Sequence, residues 1–206
     1  MSHSDSIAVV GAGTMGAGIA LVSATSGLKS IQIDVCEEAL GKARALHAKT
    51  LARNVQKERM TQAEADAAAT RIEYADSLDA AAGATFAIEA ASERLDLKKS
   101  IFADLRSRLS EDAILATNTS SISITEIATA VPGAEDRVIG MHFFNPVPVM
   151  KLVEVIRGLA TSDATLDATL RLAESMGKTP VPANDRAGFV SNLSLIHISE
   201  PTRQDR

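Results

Sequence analysis

The chain has 206 residues, of which 46% are apolar and 23% are charged, and its formal net charge is -5 at pH 7. These proportions are typical of a globular protein, and an acidic chain lacks the basic surface that general nucleic-acid binding requires. The single cysteine, Cys36, excludes an intramolecular disulfide and favours a reducing, cytoplasmic location.

The first candidate element is the apolar run at residues 7–22, which could be a targeting or membrane segment. No Lys or Arg precedes it, so the basic region of a signal peptide is missing. The run is too short to span a bilayer and contains four glycines. We therefore expect neither secretion nor a membrane partner.

The stretch SIAVVGAGTMGAGIALVSATSG, residues 6–27, predicts a buried strand, a glycine-rich turn and a helix. A second strand, SIQIDV, follows and contains Asp34. A G-x-G-x-x-G turn between a strand and a helix, followed by an acidic residue after the next strand, predicts a dinucleotide-binding loop. A glycine turn without a ligand is the alternative.

The residues expected to contact the cofactor are Gly11, Ala12, Gly13, Thr14, Met15, Gly16 and Asp34. The first glycine allows the tight turn, the second lets the backbone approach a pyrophosphate, and the third allows close packing of helix on strand. The carboxylate of Asp34 would bind ribose hydroxyls and repel a 2′-phosphate, which favours NAD over NADP.

The remaining elements alternate between helices and strands. Helices are predicted at 37–57 and 62–69, forming a hairpin, then at 95–109, at 123–131 and at 163–177; a short Ala-rich helix is predicted between 75 and 84. Strands are predicted at 71–75, 84–90, 113–118, 137–143, 151–156 and 179–183. Ser123 and Glu126 form a possible capping box. The alternation predicts an α/β fold, a Rossmann-like, doubly wound, mostly parallel sheet with a helical-hairpin insertion.

The segment HFFNPVPVMKLVE, residues 142–154, contains a candidate acid–base pair. A strand, a proline-marked bend and a return strand could bring His142 and Glu154 side by side. A carboxylate on one imidazole nitrogen fixes the tautomer and stabilises the imidazolium, as a general base requires. The alternatives are a core histidine and a surface glutamate.

At this point the chain resembles a known family, the L-3-hydroxyacyl-CoA dehydrogenases, especially the short bacterial 3-hydroxybutyryl-CoA type. The resemblance covers about residues 7–192 and is carried by GAGTMGAGIA, AIEAASERLDLKK, TNTSSISI, HFFNPVPVMKLVEVI and GFVSN. It implies NAD-dependent oxidation of L-3-hydroxyacyl-CoA to 3-oxoacyl-CoA. Two other possibilities are a Rossmann dehydrogenase of a free β-hydroxyacid and a non-catalytic NAD-binding module.

The resemblance implies a role for each matching catalytic residue. His142 would be the general base that takes the proton of the 3-hydroxyl, and Glu154 would orient it. Ser120 and Asn145 would lie between the nicotinamide and the reacting oxygen, and Asn192 would be a further active-site asparagine. Judged from the residues alone, Ser120 could instead belong to a helix cap, and Asn145 before Pro146 to a common turn.

The resemblance also implies contacts outside the catalytic group. Glu93 and Lys98 would contact the cofactor, although they could be an ordinary charge pair at a helix start. The hairpin would approach coenzyme A, with Thr50 and Lys57 as contacts; the alternative is a solvated basic helix face. Lys57 is the stronger candidate, because a phosphate needs a cation. The sequence predicts no metal site.

The resemblance stops near Asn192. We expect residues 1–186 to form the NAD-binding domain and 187–192 to begin the linker to a C-terminal helical domain that is missing. That domain would make the intact enzyme a homodimer. Residues 193–206, LSLIHISEPTRQDR, lack helical periodicity and read as a non-native tail, with a divergent natural tail as the alternative. Ala187 stands where the family usually has proline. Cofactor binding should survive, whereas turnover is in doubt.

Overall fold

The computed structural model describes residues 6–185. Its strands are β1 (Ser6–Val10), β2 (Lys29–Ile33), β3 (Ile72–Ala75), β4 (Phe86–Glu89), β5 (Ile114–Thr117), β6 (Val138–Phe143), β7 (Leu152–Arg157) and β8 (Thr179–Asn184). Its helices are α1 (Thr14–Thr25), α2 (Glu37–Gln56), α3 (Gln62–Thr70), α4 (Leu95–Arg108), α5 (Ile124–Ala128) and α6 (Asp163–Ser175), with 3₁₀ turns at Leu78–Ala81 and Glu135–Arg137.

The eight strands form one sheet in the order β3-β2-β1-β4-β5-β6-β7-β8. All neighbouring pairs are parallel except β6 and β7, which are antiparallel. The strand order reverses at β1, which lies between β2 and β4. In such sheets ligands bind outside the carboxyl ends of the strands at the reversal point. The predicted doubly wound, mostly parallel sheet is confirmed.

Both faces of the central part of the sheet are buried, and its strands supply alternate residues to the two cores. In β1, Ile7 and Val9 pack with α1 and α6, whereas Ala8 and Val10 pack with α4 and α5. Side chains in a strand alternate between faces, so a strand covered on both sides is apolar throughout. This explains the uninterrupted run IAVV.

The hairpin of α2 and α3 packs against α1 on the outside of the sheet. Leu51 of α2 and Ala65 and Ala68 of α3 form a small core with Leu21 of α1. Thr61 begins α3 with a reciprocal capping box to Glu64, which satisfies two helix N–H groups. The predicted hairpin insertion is therefore present.

Two predicted elements differ from the structure. The helix expected at 123–131 ends at Ala128, because the next amides, of Ala130 and Val131, bond three residues back and Pro132 disfavours helical backbone before it. The Ala-rich helix expected after β3 is a single 3₁₀ turn. Among residues 6–185, no helix combines the length and the apolar character needed to cross a membrane.

Candidate functional site

The glycine turn after β1 leaves no room for side chains at two of its positions. Gly11 has φ +103°, and a Cβ there would lie 2.6 Å from the carbonyl oxygen of Ala90. A Cβ on Gly16 would lie 1.8 Å from the carbonyl oxygen of Gly11. The first glycine therefore permits the turn, and the third permits α1 to pack directly against it, as the sequence predicts.

Gly13 differs from these two glycines, because a Cβ there would meet no atom within 4 Å. It is the N-cap of α1, with no side-chain cap and no acidic residue in the first turn. The first N–H groups of a helix lack internal partners and carry partial positive charge. This end of α1 thus fits a pyrophosphate in space and in charge.

Asp34 follows β2 and is held by the backbone. Its Oδ2 accepts a hydrogen bond from the Ala12 amide at 2.7 Å, and its Oδ1 accepts one from the Cys36 amide at 2.9 Å. The carboxylate therefore lies directly beside the glycine turn. Its half-buried position leaves it accessible to the ribose hydroxyls that we predict it binds.

A cleft of about 500 Å³ opens beside Asp34 at the carboxyl ends of β1, β2 and β4. Its walls are mainly apolar, and they include the exposed Val35 together with Leu78, Leu97 and Ile101. An apolar cleft with one carboxylate suits a flat base attached to a ribose. The residues present therefore fit the adenosine half of a dinucleotide.

His142 and Glu154 face each other across the antiparallel pair of β6 and β7. Imidazole Nδ1 lies 2.8 Å from Glu154 Oε2, and both side chains are buried, with exposures of 8% and 2%. The strand, bend and return strand predicted from the sequence thus bring the two side chains together. The intervening bend contains a cis peptide bond between Asn145 and Pro146.

The other imidazole nitrogen points to the β5–α5 loop. Nε2 of His142 lies 3.1 Å from Ser120 Oγ. A carboxylate beside Nδ1 favours the tautomer with the proton on Nδ1, which places the lone pair of the neutral ring at Nε2. His142 can therefore accept a proton at Nε2, on the side of Ser120. The Phe144 ring packs against the imidazole with centroids 4.7 Å apart.

Strand alternation places this pair on the α5 face of the sheet. The neighbouring residues Met141 and Val153 pack in the core under α1 and α6, so His142 and Glu154 point the other way. Three strand spacings separate β1 from β6, which corresponds to about 14 Å. The glycine turn and His142 therefore lie along one edge of the sheet, at a separation that an extended dinucleotide can bridge.

Glu93 organises the loop that carries Ser120. Its Oε1 accepts hydrogen bonds from Thr119 Oγ1, from the Ser120 amide at 3.0 Å and from Ser121 Oγ at 3.4 Å. Partial burial alone would raise the pKa of Glu93, but these hydrogen bonds and the charge of Lys98 outweigh it and lower the pKa. Glu93 is thus an ionised anchor beside Ser120.

The side chain of Lys98, which was predicted to contact the cofactor, is completely buried. Its ammonium lies 2.8 and 2.9 Å from the two oxygens of Glu89, which is also completely buried, and 3.3 Å from Glu93. Thr117 Oγ1 and the Ala91 amide complete the hydrogen bonds of Glu89. Lys98 therefore supports Glu93 from inside the protein.

Asn118 was not singled out from the sequence, although it lies in the segment TNTSSISI. Its Oδ1 accepts a hydrogen bond from the Phe143 amide at 2.9 Å. The backbone pairing of β5 with β6 ends at Thr117 and Gly140. Asn118 therefore holds the end of β6, beside His142, where the strand ladder no longer does. Its position directly after a buried strand was the available signal.

Asp185 caps α5 from the end of β8. Its carboxylate accepts hydrogen bonds from Ser123 Oγ at 2.7 Å and from the Ile124 and Thr125 amides at 3.1 and 2.8 Å. Partial burial would raise its pKa, but these hydrogen bonds lower it. The predicted capping box is half present: Ser123 accepts from the Glu126 amide, while Asp185 supplies the carboxylate.

The two residues of the hairpin that were predicted to contact coenzyme A differ in exposure. Lys57 is the exposed C-cap of α2, whereas Thr50 is half-buried. His47, on the buried face of α2, bonds Ala17 O through Nε2 at 2.8 Å and Tyr74 Oη through Nδ1 at 2.7 Å. Burial lowers the pKa of His47, and the bond to Ala17 opposes this only in part. A neutral His47 thus fixes the hairpin to α1.

Asn145 and Asn192 are the remaining predicted site residues. Asn145 is exposed on the loop between β6 and β7. Asn192, like Ala187 and the tail, lies outside the described residues. Within residues 6–185, no group of three or more His, Cys, Asp or Glu side chains could hold a metal ion.

The chain is similar in sequence to known 3-hydroxyacyl-CoA dehydrogenases. Residues 6–186 match the family described as 3-hydroxyacyl-CoA dehydrogenase, NAD binding domain. A probable 3-hydroxybutyryl-CoA dehydrogenase of Bacillus subtilis is 48% identical over 190 residues, which are 92% of this chain and 66% of that protein. The 3-hydroxyadipyl-CoA dehydrogenase of Escherichia coli is 44% identical over 193 residues, 93% of this chain and 40% of that protein.

The fold has a close counterpart in a crystal structure of (S)-3-hydroxybutyryl-CoA dehydrogenase from Ralstonia eutropha. The TM-score is 0.90 at 44% sequence identity, and the match covers 94% of this chain and 68% of that one. The chain thus spans 66% and 40% of the length of the Bacillus and Escherichia relatives. These similarities confirm the predicted family resemblance and the prediction of an NAD-binding domain.

Proposed function

The chain belongs to the 3-hydroxyacyl-CoA dehydrogenase family through its NAD-binding domain, and from this membership we propose that the whole protein oxidises L-3-hydroxyacyl-CoA to 3-oxoacyl-CoA reversibly. The observation that carries the proposal is the position of His142. Its Nδ1 is bonded to Glu154 and its Nε2 lies beside Ser120, at the sheet edge that also holds the dinucleotide loop. NAD, when bound, supplies the hydride acceptor.

Residues of the chain are proposed to transfer the proton and to position the substrate and the nicotinamide. His142 takes the proton of the 3-hydroxyl at Nε2 in the oxidation and returns it in the reverse direction. Glu154, bonded to Nδ1, orients the ring so that Nε2 faces the reacting oxygen and stabilises the imidazolium that forms. Ser120 and Asn145 position the reacting oxygen and the nicotinamide, so that little orientational entropy remains to be lost. Asn192 is proposed as a further positioning group.

The cofactor contacts proposed here follow the geometry of the loop. The α1 N-terminus and the glycine turn hold the diphosphate, and Asp34 holds the adenosine ribose. Glu93, through its exposed part, is proposed to contact the nicotinamide half. Lys98, 3.3 Å from Glu93, is proposed to act by holding Glu93.

The principal test is acetoacetyl-CoA-dependent oxidation of NADH. The proposal predicts that His142→Ala lowers kcat at least about a thousandfold while the Kd of NADH, measured by fluorescence, stays close to that of the parent. Turnover of acetoacetate without coenzyme A would favour a free β-hydroxyacid dehydrogenase. NADH binding without turnover of either substrate would leave a binding module.

The coenzyme A contact of the hairpin can be tested separately. We propose that Lys57 binds a coenzyme A phosphate and that Thr50 contributes a hydroxyl. Lys57→Met should raise the KM of acetoacetyl-CoA roughly twofold to fivefold without raising the KM of acetoacetyl-N-acetylcysteamine, which has no phosphates. Lys49→Met, which removes another exposed lysine of α2, is the matched control. Equal effects of the two variants on both thioesters would contradict the assignment.

We further propose that the whole protein is a cytoplasmic homodimer, an assembly implied by the family resemblance. Dimerisation would involve the helical region that follows the NAD-binding domain in that family. Sedimentation equilibrium of the whole protein tests this directly. A monomer at micromolar concentration would contradict it.

A further inference from the structure

Lys178 is a buried lysine with no part in the proposed chemistry. Burial lowers its pKa, so the ammonium is held at an energetic cost. Within the described part of the chain, the hydrogen bonds of Nζ go to backbone carbonyls, those of Val147 and of Met150, the latter at 2.8 Å. Both carbonyls belong to the β6–β7 loop, residues 144–151, which joins His142 to Glu154. An ammonium among carbonyls indicates a structural clamp.

The backbone of Lys178 is itself fixed by the end of α6. Gly177 closes that helix with φ +68°, and the Lys178 amide bonds Ala173 O at 3.0 Å. The next residue, Thr179, begins β8 and bonds Lys151 O at 2.8 Å. The side chain therefore reaches the β6–β7 loop from a rigid base.

The β6–β7 loop has a second anchor at its other end. Asn118 Oδ1 binds the Phe143 amide, directly before the loop begins. At the Lys178 anchor, the Val147 side chain is buried against α1 at Gly18, where a Cβ would lie only 2.8 Å from that of Val147. Asn145 lies on the exposed side, between the two anchors.

We infer that Asn118 and Lys178 are positioning residues that together set the β6–β7 loop, and thereby Asn145, for the reaction. The inference rests on the proposed function for its kinetic consequence. Without either anchor the loop keeps the packing of the Val147 side chain, but the backbone around Asn145 is no longer held in one position. A displacement of about 1 Å at a positioning group is enough to lower kcat up to about a hundredfold.

The first experiment compares Lys178→Met with Lys151→Met. Lys151 is an exposed lysine that lines the same cleft of about 250 Å³ as Lys178, so its loss controls for charge. Lys178→Met should lower kcat for acetoacetyl-CoA about tenfold to a hundredfold, with little change in the Kd of NADH, and Lys151→Met should leave kcat unchanged. Equal kcat values in the two variants would overturn the inference.

A second variant protects the test against failure of Lys178→Met to fold. Asn118→Ala removes the acceptor for the Phe143 amide, whereas Asn118→Asp keeps an oxygen in its place. We expect Asn118→Ala to lower kcat and Asn118→Asp to restore most of it. An equal loss in both would overturn the role of this hydrogen bond.

A double-variant cycle separates positioning from general damage. If the anchors act through Asn145, adding Asn118→Ala or Lys178→Met to Asn145→Ala should cause little further loss of kcat. A full, multiplicative loss in the Asn145→Ala background would overturn the inference, because the anchors would then act elsewhere.

Hydrogen exchange gives a readout that does not depend on turnover. The Val149 and Met150 amides bond Pro146 O within the loop, and Lys178→Met should speed their exchange at least about tenfold relative to Lys151→Met. Absence of turnover in the parent would count against the proposed function alone. Unchanged exchange at these two amides would count against the inference alone.

Discussion

Replacing Lys98 with methionine tests the buried charge network beneath Ser120. Methionine has nearly the length and volume of the lysine stem, so the packing around it changes little. The variant removes the ammonium that lies 2.8 and 2.9 Å from the two oxygens of Glu89. Because both side chains are completely buried, Glu89 is left as a carboxylate without a counter-charge.

The expected loss of stability follows from that isolated carboxylate. Removing one partner of a buried ion pair typically costs about 3–5 kcal/mol. Glu89 keeps its hydrogen bonds from Thr117 and from the Ala91 amide, which offset part of this cost. We therefore expect a loss of about 3–4 kcal/mol, with a Tm lower by about 6–16 °C for a domain of this size.

Urea unfolding followed by circular dichroism measures this loss. Lys99→Met is the matched control: its partner Glu126 lies 3.6 Å away, and both side chains are partly exposed, so the cost should stay below about 1 kcal/mol. The double variant Glu89→Gln with Lys98→Met should recover part of the stability, since it removes the stranded charge. A loss in Lys98→Met no larger than that in Lys99→Met would refute the reasoning.

Three other predictions follow from single contacts. The folded-state pKa of His47 lies below its unfolded value of about 6.5, so the unfolded chain binds the proton first and stability falls as pH drops below about 6.5. Between pH 7 and 5.5 the unfolding free energy of His47→Gln should therefore fall less than that of the parent protein. Parallel pH profiles of the two proteins would contradict this. Gly13→Ala should leave Tm unchanged but raise the Kd of NADH about tenfold or more. Gly16→Ala should instead cost about 1–3 kcal/mol of stability, because its Cβ would overlap Gly11. A lower Tm in Gly13→Ala with an unchanged Kd of NADH would place the ligand elsewhere. Glu154→Gln keeps the shape but removes the charge beside Nδ1, so kcat should fall about a hundredfold or more while the Kd of NADH holds; an unchanged kcat would make Glu154 a purely structural partner.

The sequence predicts best what is local along the chain. The glycine turn needs only the order strand, G-x-G-x-x-G and helix, and its steric demands at Gly11 and Gly16 are those of any such turn. The pairing of His142 with Glu154 is also local, because the two residues are only twelve positions apart and the antiparallel register of β6 and β7 sets them opposite each other. Both features could be read from short segments.

The burial of His47 is indicated by its place in the helical pattern of α2. It lies at helical spacing from Leu40, Ala43 and Leu51, the three apolar residues on the buried face of α2. A polar residue on such a face must find hydrogen-bond partners inside the protein. The burial of His47 could therefore be predicted from α2 alone, but its partners Ala17 and Tyr74 could not.

The polar supports of the site could not be predicted, because their partners come from distant segments. Glu93 bonds the Ser120 amide across 27 residues, Lys178 bonds Val147 across 31, and Asp185 bonds Ser123 across 62. Each uses a common residue type whose local context favours an unrelated interpretation, such as a surface charge.

The burial of Lys98 illustrates why this matters for the interpretation of function. At a helix start the sequence suggests a surface ion pair or a cofactor contact, yet the side chain is enclosed by Glu89 and Glu93. Its effect on the site must therefore pass through Glu93, which bonds the Ser120 amide, and Ser120 in turn lies beside His142. Lys98 and Glu89 are completely buried, so the loss of one leaves the other without a counter-charge, whereas Glu93 and Ser120 are partly exposed. Substitutions at Lys98 should therefore alter turnover and stability together.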